Sequence, residues 1–200
     1  MSATKHPAEP FQRSIQKFVS EFVSEVAQGL IQIYNEISLQ LELGIFLRSR
    51  LLHCRVEFER NVARLFQRKN FTKKEIDIVI LDSETGSLLC AIELKFPRNG
   101  QVPVQMFSFC KDIAFLEELT EAGFTEGLFV AFVDNHHFYK GRGEGIYGLF
   151  RERKPITGTI QKPTGSKNET VAIRGTYVVD WKQITNEHHW TFLQVSSVKR

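Results

Sequence analysis

The sequence predicts an α/β protein built on one mixed central sheet, and three observations carry that prediction. First, the polar, glycine-containing turn SETGS (83–87) joins two apolar runs, EIDIVILD (75–82) and LLCAIELKF (88–96). That is the pattern of a β-hairpin. Second, a helical stretch at 103–122 leads into GLFVAFVD (127–134). Such a nearly continuous apolar run is what a strand buried on both faces needs, so strand 88–96, the helix and strand 127–134 form a βαβ unit. Third, an amphipathic helix opens the chain. The 200 residues, 42% hydrophobic and 24% charged, suffice for one domain with its own core.

The elements follow in order. Residues 1–10 (MSATKHPAEP) are polar, carry two prolines and read as a flexible tail. From Phe11 the apolar positions Phe11, Ile15, Phe18, Phe22, Val26 and Leu30 recur at three- and four-residue spacing, one face of a helix. Residues 36–52 (EISLQLELGIFLRSRLL) carry two patterns. Ile37, Leu39, Leu41 and Leu43 alternate as in a strand, while Leu39, Leu43, Phe46 and Leu47 fit a helix. Length decides for a helix, with Asn35 as N-cap and Glu36 in the first turn, where a negative charge suits the dipole. A short strand follows at 54–60, where Val56 and Phe58 alternate with Glu57 and Glu59.

Beyond the hairpin, Pro103 opens a helix whose buried face is Met106, Phe109, Cys110, Ile113 and Leu116, and Gly123 sits where a C-cap belongs. The glycine-rich FYKGRGEGIYGLF (138–150) lacks the Lys-Ser/Thr of a phosphate loop and reads as a flexible surface loop. From Ile156 onward, alternation around TYVVDW and WTFLQV, with PTGSKN (163–168) as a turn, predicts two or three antiparallel strands. The expected organisation is a single domain over 11–200, with its core at about 36–134 and a C-terminal antiparallel β extension at about 150–200.

The formal net charge of +3 permits a polyanionic partner without demanding one. Three cysteines without a CxxC spacing indicate neither a disulfide framework nor a zinc knuckle, and so a reducing, cytoplasmic setting. No apolar run approaches 18 residues and the N-terminus shows no signal-peptide pattern, so no membrane partner is expected.

The hairpin also carries the chemistry. Side chains alternate faces along a strand, which puts Glu93 and Lys95 on one face and Cys90, Ile92, Leu94 and Phe96 on the other. On the partner strand, Asp77, Val79 and Leu81 share a face opposite to Ile76, Ile78 and Ile80. With the turn centred on Thr85, Asp77 falls opposite Glu93. Two opposed carboxylates on a half-apolar surface repel and are costly to desolvate, so something must neutralise them. Lys95 supplies one charge; a divalent cation with all-oxygen ligation, Mg²⁺ or Mn²⁺, would supply two. Phosphodiester hydrolysis suits such a site. The plainer reading is a salt-bridged strand end, since E-x-K alone is common.

Asp112, Glu57 and Glu59 read first as surface charges, and the pairs His136/His137 and His188/His189 as loop residues. Arg64, Arg68, Lys69, Lys73 and Lys74, and separately Arg142, Arg151, Arg153 and Lys154, form basic clusters that either meet phosphates or face solvent.

This order of helix, strand, hairpin, helix and strand, with Asp77 in EIDIVI and Glu93-Leu94-Lys95 in AIELKF, resembles the αβββαβ core of the PD-(D/E)XK nuclease superfamily, the restriction-endonuclease-like fold. The match covers roughly residues 36–134, and Ile76 stands where the motif's name has Pro. The resemblance implies a Mg²⁺-dependent nuclease acting on nucleic acid, DNA by preference, in which Asp77, Glu93 and the Leu94 carbonyl ligate metal and Lys95 orients or activates water. It also implies a Glu on the first core helix, Glu42 or, as second choice, Glu36. Gln105 is the candidate for the Gln that several members carry on the following helix. The alternative is a non-catalytic nucleic-acid-binding or scaffold protein that retains the fold. A homodimer is compatible with either.

Overall fold

A computed structural model describes residues 8–67, 70–165 and 168–196, with the side chains of 8–14 left out. The tail expected at 1–10 and the basic residues Arg68 and Lys69 therefore fall wholly or largely outside the described residues. The chain runs α1 (Ala8–Ala27), α2 (Glu36–Arg50), β1 (Cys54–Asn61), β2 (Glu75–Asp82), β3 (Leu88–Lys95), α3 (Val102–Ala122), β4 (Glu126–Val133), α4 (Ile146–Arg151), β5 (Ile156–Gln161), β6 (Thr170–Tyr177), β7 (Lys182–Gln183) and β8 (His189–Val195). Six strands form one mixed sheet in the order β1-β2-β3-β4-β8-β7, with β3 and β4 parallel. Strands β5 and β6 form a separate two-stranded sheet that packs on α3.

Two apolar layers sandwich the main sheet. Helices α1 and α2 cover one face, where Ile15, Phe22, Leu39, Leu43 and Leu47 meet Ile78, Ile80, Ile92 and Leu94. Helix α3, α4 and the β5–β6 hairpin cover the other, where Phe109, Ile113 and Leu116 meet Val79, Ala91 and Phe129. Helix α2 starts at a capping box: the Asn35 side chain accepts from Ser38 N at 2.7 Å, and Ser38 Oγ accepts from Asn35 N at 3.0 Å. Helix α3 has Pro103 in its first turn and ends at Gly123 with φ 135°.

Several expectations need correction. Helix α1 includes Ala8, Glu9 and Pro10 and stops at Ala27, so Leu30 lies beyond it and is exposed. Gly29, at φ 75°, turns the chain there, and Leu30 N returns to the Glu25 carbonyl at 3.0 Å. The 138–150 segment is a structured stretch that includes α4. Phe138 and Phe150 each lie 5.7 Å from the Phe109 ring, and this aromatic cluster orders the segment. His136 and His137 sit in a 3-10 turn, and His189 opens β8. Strand β8 is part of the main sheet, pairing antiparallel with β4 from Gly127↔Val195 to Val133↔His189. It covers what would otherwise be a fully apolar open edge.

Candidate active site

The hairpin register is the one that a turn centred on Thr85 predicts: Ile78↔Ile92, Val79↔Ala91 and Ile80↔Cys90, with a bulge only next to the turn. The ladder ends at Ile78↔Ile92. One step further on, the Asp77 carboxylate takes over as acceptor, with Leu94 N donating to Oδ2 at 2.7 Å. With the pleat interrupted, Ile76 packs in the α3-side layer with Val79 and Leu81, not with Ile78 and Ile80 as alternation predicts. Asp77 is held at the splayed end of the hairpin beside Glu93, which is fully buried.

Three further side chains complete the cluster. Lys73 Nζ donates to both Glu93 Oε2 and Asp112 Oδ1, the latter at 2.9 Å. Lys95 Nζ lies 3.2 Å from Asp112 Oδ2 and 3.6 Å from Glu36 Oε1, and donates to the Leu94 carbonyl at 3.0 Å. Glu36 Oε2 accepts from Phe96 N at 2.9 Å. Local packing fixes these positions. Phe71 stacks edge-on to Phe115, 6.4 Å away, and Thr72 N donates to Glu118 at 2.9 Å, which places Lys73 over α3. Gln40 on α2 donates to the Asp77 carbonyl at 2.7 Å and to Glu59 at 2.6 Å, tying the helix to β1 and β2.

The charges do not balance. Among the described residues, Asp77, Glu93 and Asp112 face two cations, Lys73 and Lys95, and Glu36 adds a fourth carboxylate at the edge. Burial, opposed by the Leu94 N–H and the two lysines, pushes the Asp77 carboxyl up to about 6. Burial and then repulsion from Asp77 and Asp112 raise Glu93 well above the usual carboxylate range. Burial alone would lower the two lysines, but Glu93 and Asp112 outweigh it at Lys73, and Asp112 and Glu36 at Lys95, so both are raised. Among the described residues, buried Glu93 Oε1 has no hydrogen-bond partner. Among the described residues, no three Asp, Glu, His or Cys side chains converge closely enough to hold a metal ion by themselves.

The structure thus brings Asp77, Glu93, Lys95 and the Leu94 backbone together. It does not bring in Glu42 or Gln105. Glu42 stands about 200° around the helix from Gln40, facing away from the hairpin, and Glu36 is the helix carboxylate that reaches Lys95. Gln105 donates to the Asn99 carbonyl at 2.9 Å and braces the loop before α3. Glu57 pairs with Arg60 at 3.3 Å, and Glu59 reaches the site only through Gln40. Asp112, read as a surface charge, is buried at the centre. Its signal was its spacing, since it shares the three- and four-residue rhythm of Phe109, Ile113 and Leu116. Lys73 gave no such signal within its basic run. The second basic cluster is largely engaged internally: Arg151 donates to the His137 and Arg142 carbonyls, Arg153 pairs with Asp180 at 3.1 Å, and Lys154 with Glu152 at 2.7 Å.

A cleft of about 300 Å³ opens beside the cluster, lined by Lys73, Lys95, Lys111, Asp112, Val171 and the hydroxyl residues Thr72, Ser108 and Thr170. No family model, curated protein or solved structure matches the chain. Among the described residues, no helix is long and apolar enough to cross a membrane.

Proposed function

We propose that the protein is a metal-dependent nuclease with a restriction-endonuclease-like core, and that Asp77, Glu93 and Lys95 form its catalytic centre. The supporting observation is the excess of carboxylate in the cluster: Glu93 is fully buried with Oε1 unpartnered among the described residues, and its partners Lys73 and Asp112 line the adjacent cleft. A hard divalent cation fits that donor set. Mg²⁺ needs only one or two protein carboxylates and keeps its other positions for water and phosphate. Asp77 and Glu93 would hold it, with the Leu94 carbonyl adjacent. When bound, the cation supplies positive charge that screens the phosphate and eases deprotonation of a water.

The chain's own residues do the rest. Lys95 is held by Asp112, Glu36 and the Leu94 carbonyl, and its raised pKa keeps it protonated at neutral pH. Its part is therefore to orient the nucleophile and stabilise developing negative charge, not to act as a general base. Lys73 and Lys111 line the cleft and would attract the substrate's phosphates, Lys111 in exchange for its exposed pairing with Glu169 at 3.2 Å. Nucleic acid is the substrate class that this arrangement suits, DNA by the motif's resemblance.

One observation favours the alternative, a nucleic-acid-binding protein that keeps the fold without turnover. Lys73 already bridges Glu93 and Asp112, which partly neutralises the site without a metal. Thermal melting with Mn²⁺ separates the two readings. At about 100-fold excess over its Kd, a bound cation stabilises by roughly 2.7 kcal/mol, or about 5–10 °C for a chain of this length. Asp77→Asn should abolish the shift and, without metal, melt no lower than wild type because one buried charge is gone. An unshifted wild type would favour the binding-protein reading.

A further inference from the structure

Helix α2 is apolar on two opposite faces. Leu39, Leu43, Phe46 and Leu47 point inward and are buried. Ile37, Leu41 and Ile45 point outward at four-residue spacing, with Tyr34 two residues before the helix and Leu52 two residues after it. These five are between 49% and 81% exposed. The strand-like alternation of 37, 39, 41 and 43 in the sequence is the trace of this double face. A helix apolar all round is normally buried all round, and here the chain covers only one side.

We propose that this outer face is a two-fold interface between two copies of the chain, with α2 packed antiparallel on α2 about an axis at Leu41. The stripe is symmetric about that residue. Turned end for end, it sets Ile37 against Ile45 of the second copy and Leu41 against itself, as an isologous contact requires. The same operation brings Tyr34 onto Arg48. The Arg48 side chain is held in place, donating to the Val56 carbonyl at 2.8 Å with its guanidinium 5.3 Å from the Phe58 ring centre. A tyrosine ring on its outer side adds a cation–π contact. Further out, Leu30 and Leu52 are also exposed, beyond the two ends of the helix. No acidic residue of α2 falls opposite another: Glu36 meets Phe46 and Glu42 meets Gln40.

The apolar surface involved is on the order of 500 Å². With a polar rim it approaches the ~800 Å² that each partner contributes to a standard interface. This inference does not depend on the nuclease reading.

Sedimentation equilibrium of the full chain tests it, on wild type, Leu41→Glu, and Leu41→Cys in a Cys54→Ser background. Wild type should be dimeric at tens of micromolar. Leu41→Glu places two like charges at the axis and should raise the dissociation constant at least ~100-fold, with far-UV dichroism unchanged because Leu41 is exposed and Tm lowered only by the lost association. Leu41→Cys should oxidise to a covalent dimer, while a cysteine at exposed Glu84 should not. A wild type that stays monomeric would overturn the proposal, as would a dimer that Leu41→Glu leaves intact.

Discussion

Individual side chains set how the protein responds to pH and charge. Glu126 is fully buried at the start of β4, where Gln194 donates to it at 3.1 Å, and burial pushes its carboxyl up from 4.5 to about 7. A folded-state pKa above the unfolded one means that the folded protein binds the proton more tightly. Its stabilising contribution is complete below about 4.5 and is lost as pH rises through about 7. Asp77 acts in the same direction between 3.8 and about 6. Stability without metal should therefore fall from pH 5 to pH 8, and Glu126→Gln should flatten that fall and melt higher than wild type at pH 8. Melting curves across this range check both; a variant less stable than wild type at pH 8 would mean that burial of the charge is not what governs Glu126. Lys73 differs in that its charge stabilises the fold at neutral pH, since it offsets Glu93 and Asp112. Lys73→Met leaves Glu93 buried without its cation and should cost roughly 3 kcal/mol. Mg²⁺ should restore part of that loss, read as the urea midpoint with and without the ion. These two residues also mark the limit of the sequence. Glu93 and Lys95 were legible because strand alternation fixes their facing, and Asp77 because the short turn sets it near Glu93, although the pleat breaks at Asp77 itself. Lys73 was not, because an irregular connection places it, and no periodicity governs such a segment.

At the scale of elements, the sequence was most informative where chemistry punctuates it. Asn35 and Ser38 cap α2, Pro103 and Gly123 bound α3, and SETGS closes the hairpin, each with a local hydrogen-bonding or φ requirement behind it. Asn35→Ala removes the acceptor for Ser38 N and should cost about 1 kcal/mol, or about 2–4 °C in Tm. Because Glu36 follows the cap directly, the same variant should loosen the Glu36–Lys95 contact, which would appear as faster amide exchange at Phe96, the partner of Glu36 Oε2. Less legible were elements that owe their form to distant packing. The glycine-rich segment at 138–150 contains α4 because Phe138 and Phe150 dock on Phe109, and glycine spacing carries no trace of that. The choice between Glu36 and Glu42 was likewise hidden, since a helix with two apolar faces does not announce which side meets the sheet.

The whole molecule is a sheet between two unlike layers, and the site lies where they meet at the open end of the hairpin. Glu36 comes from the α2 layer, Asp112 from the α3 layer, and Lys95 touches both. The order from α2 to β4 was readable because each element carries its own period. The place of β8 was not, because seven alternating residues fit an edge extension as well as an added core strand, and only the apolar edge of β4 decides. Buried anionic charge, a lysine-lined cleft and an unpartnered carboxylate oxygen together make up the case for metal-assisted hydrolysis. The most direct test is cleavage of circular and linear DNA with Mg²⁺ or Mn²⁺ by wild type and Lys95→Ala. Cleavage by wild type that requires the metal and is lost in Lys95→Ala is the predicted result. No cleavage of double-stranded DNA, single-stranded DNA or RNA by wild type, or equal cleavage by the variant, would contradict the account.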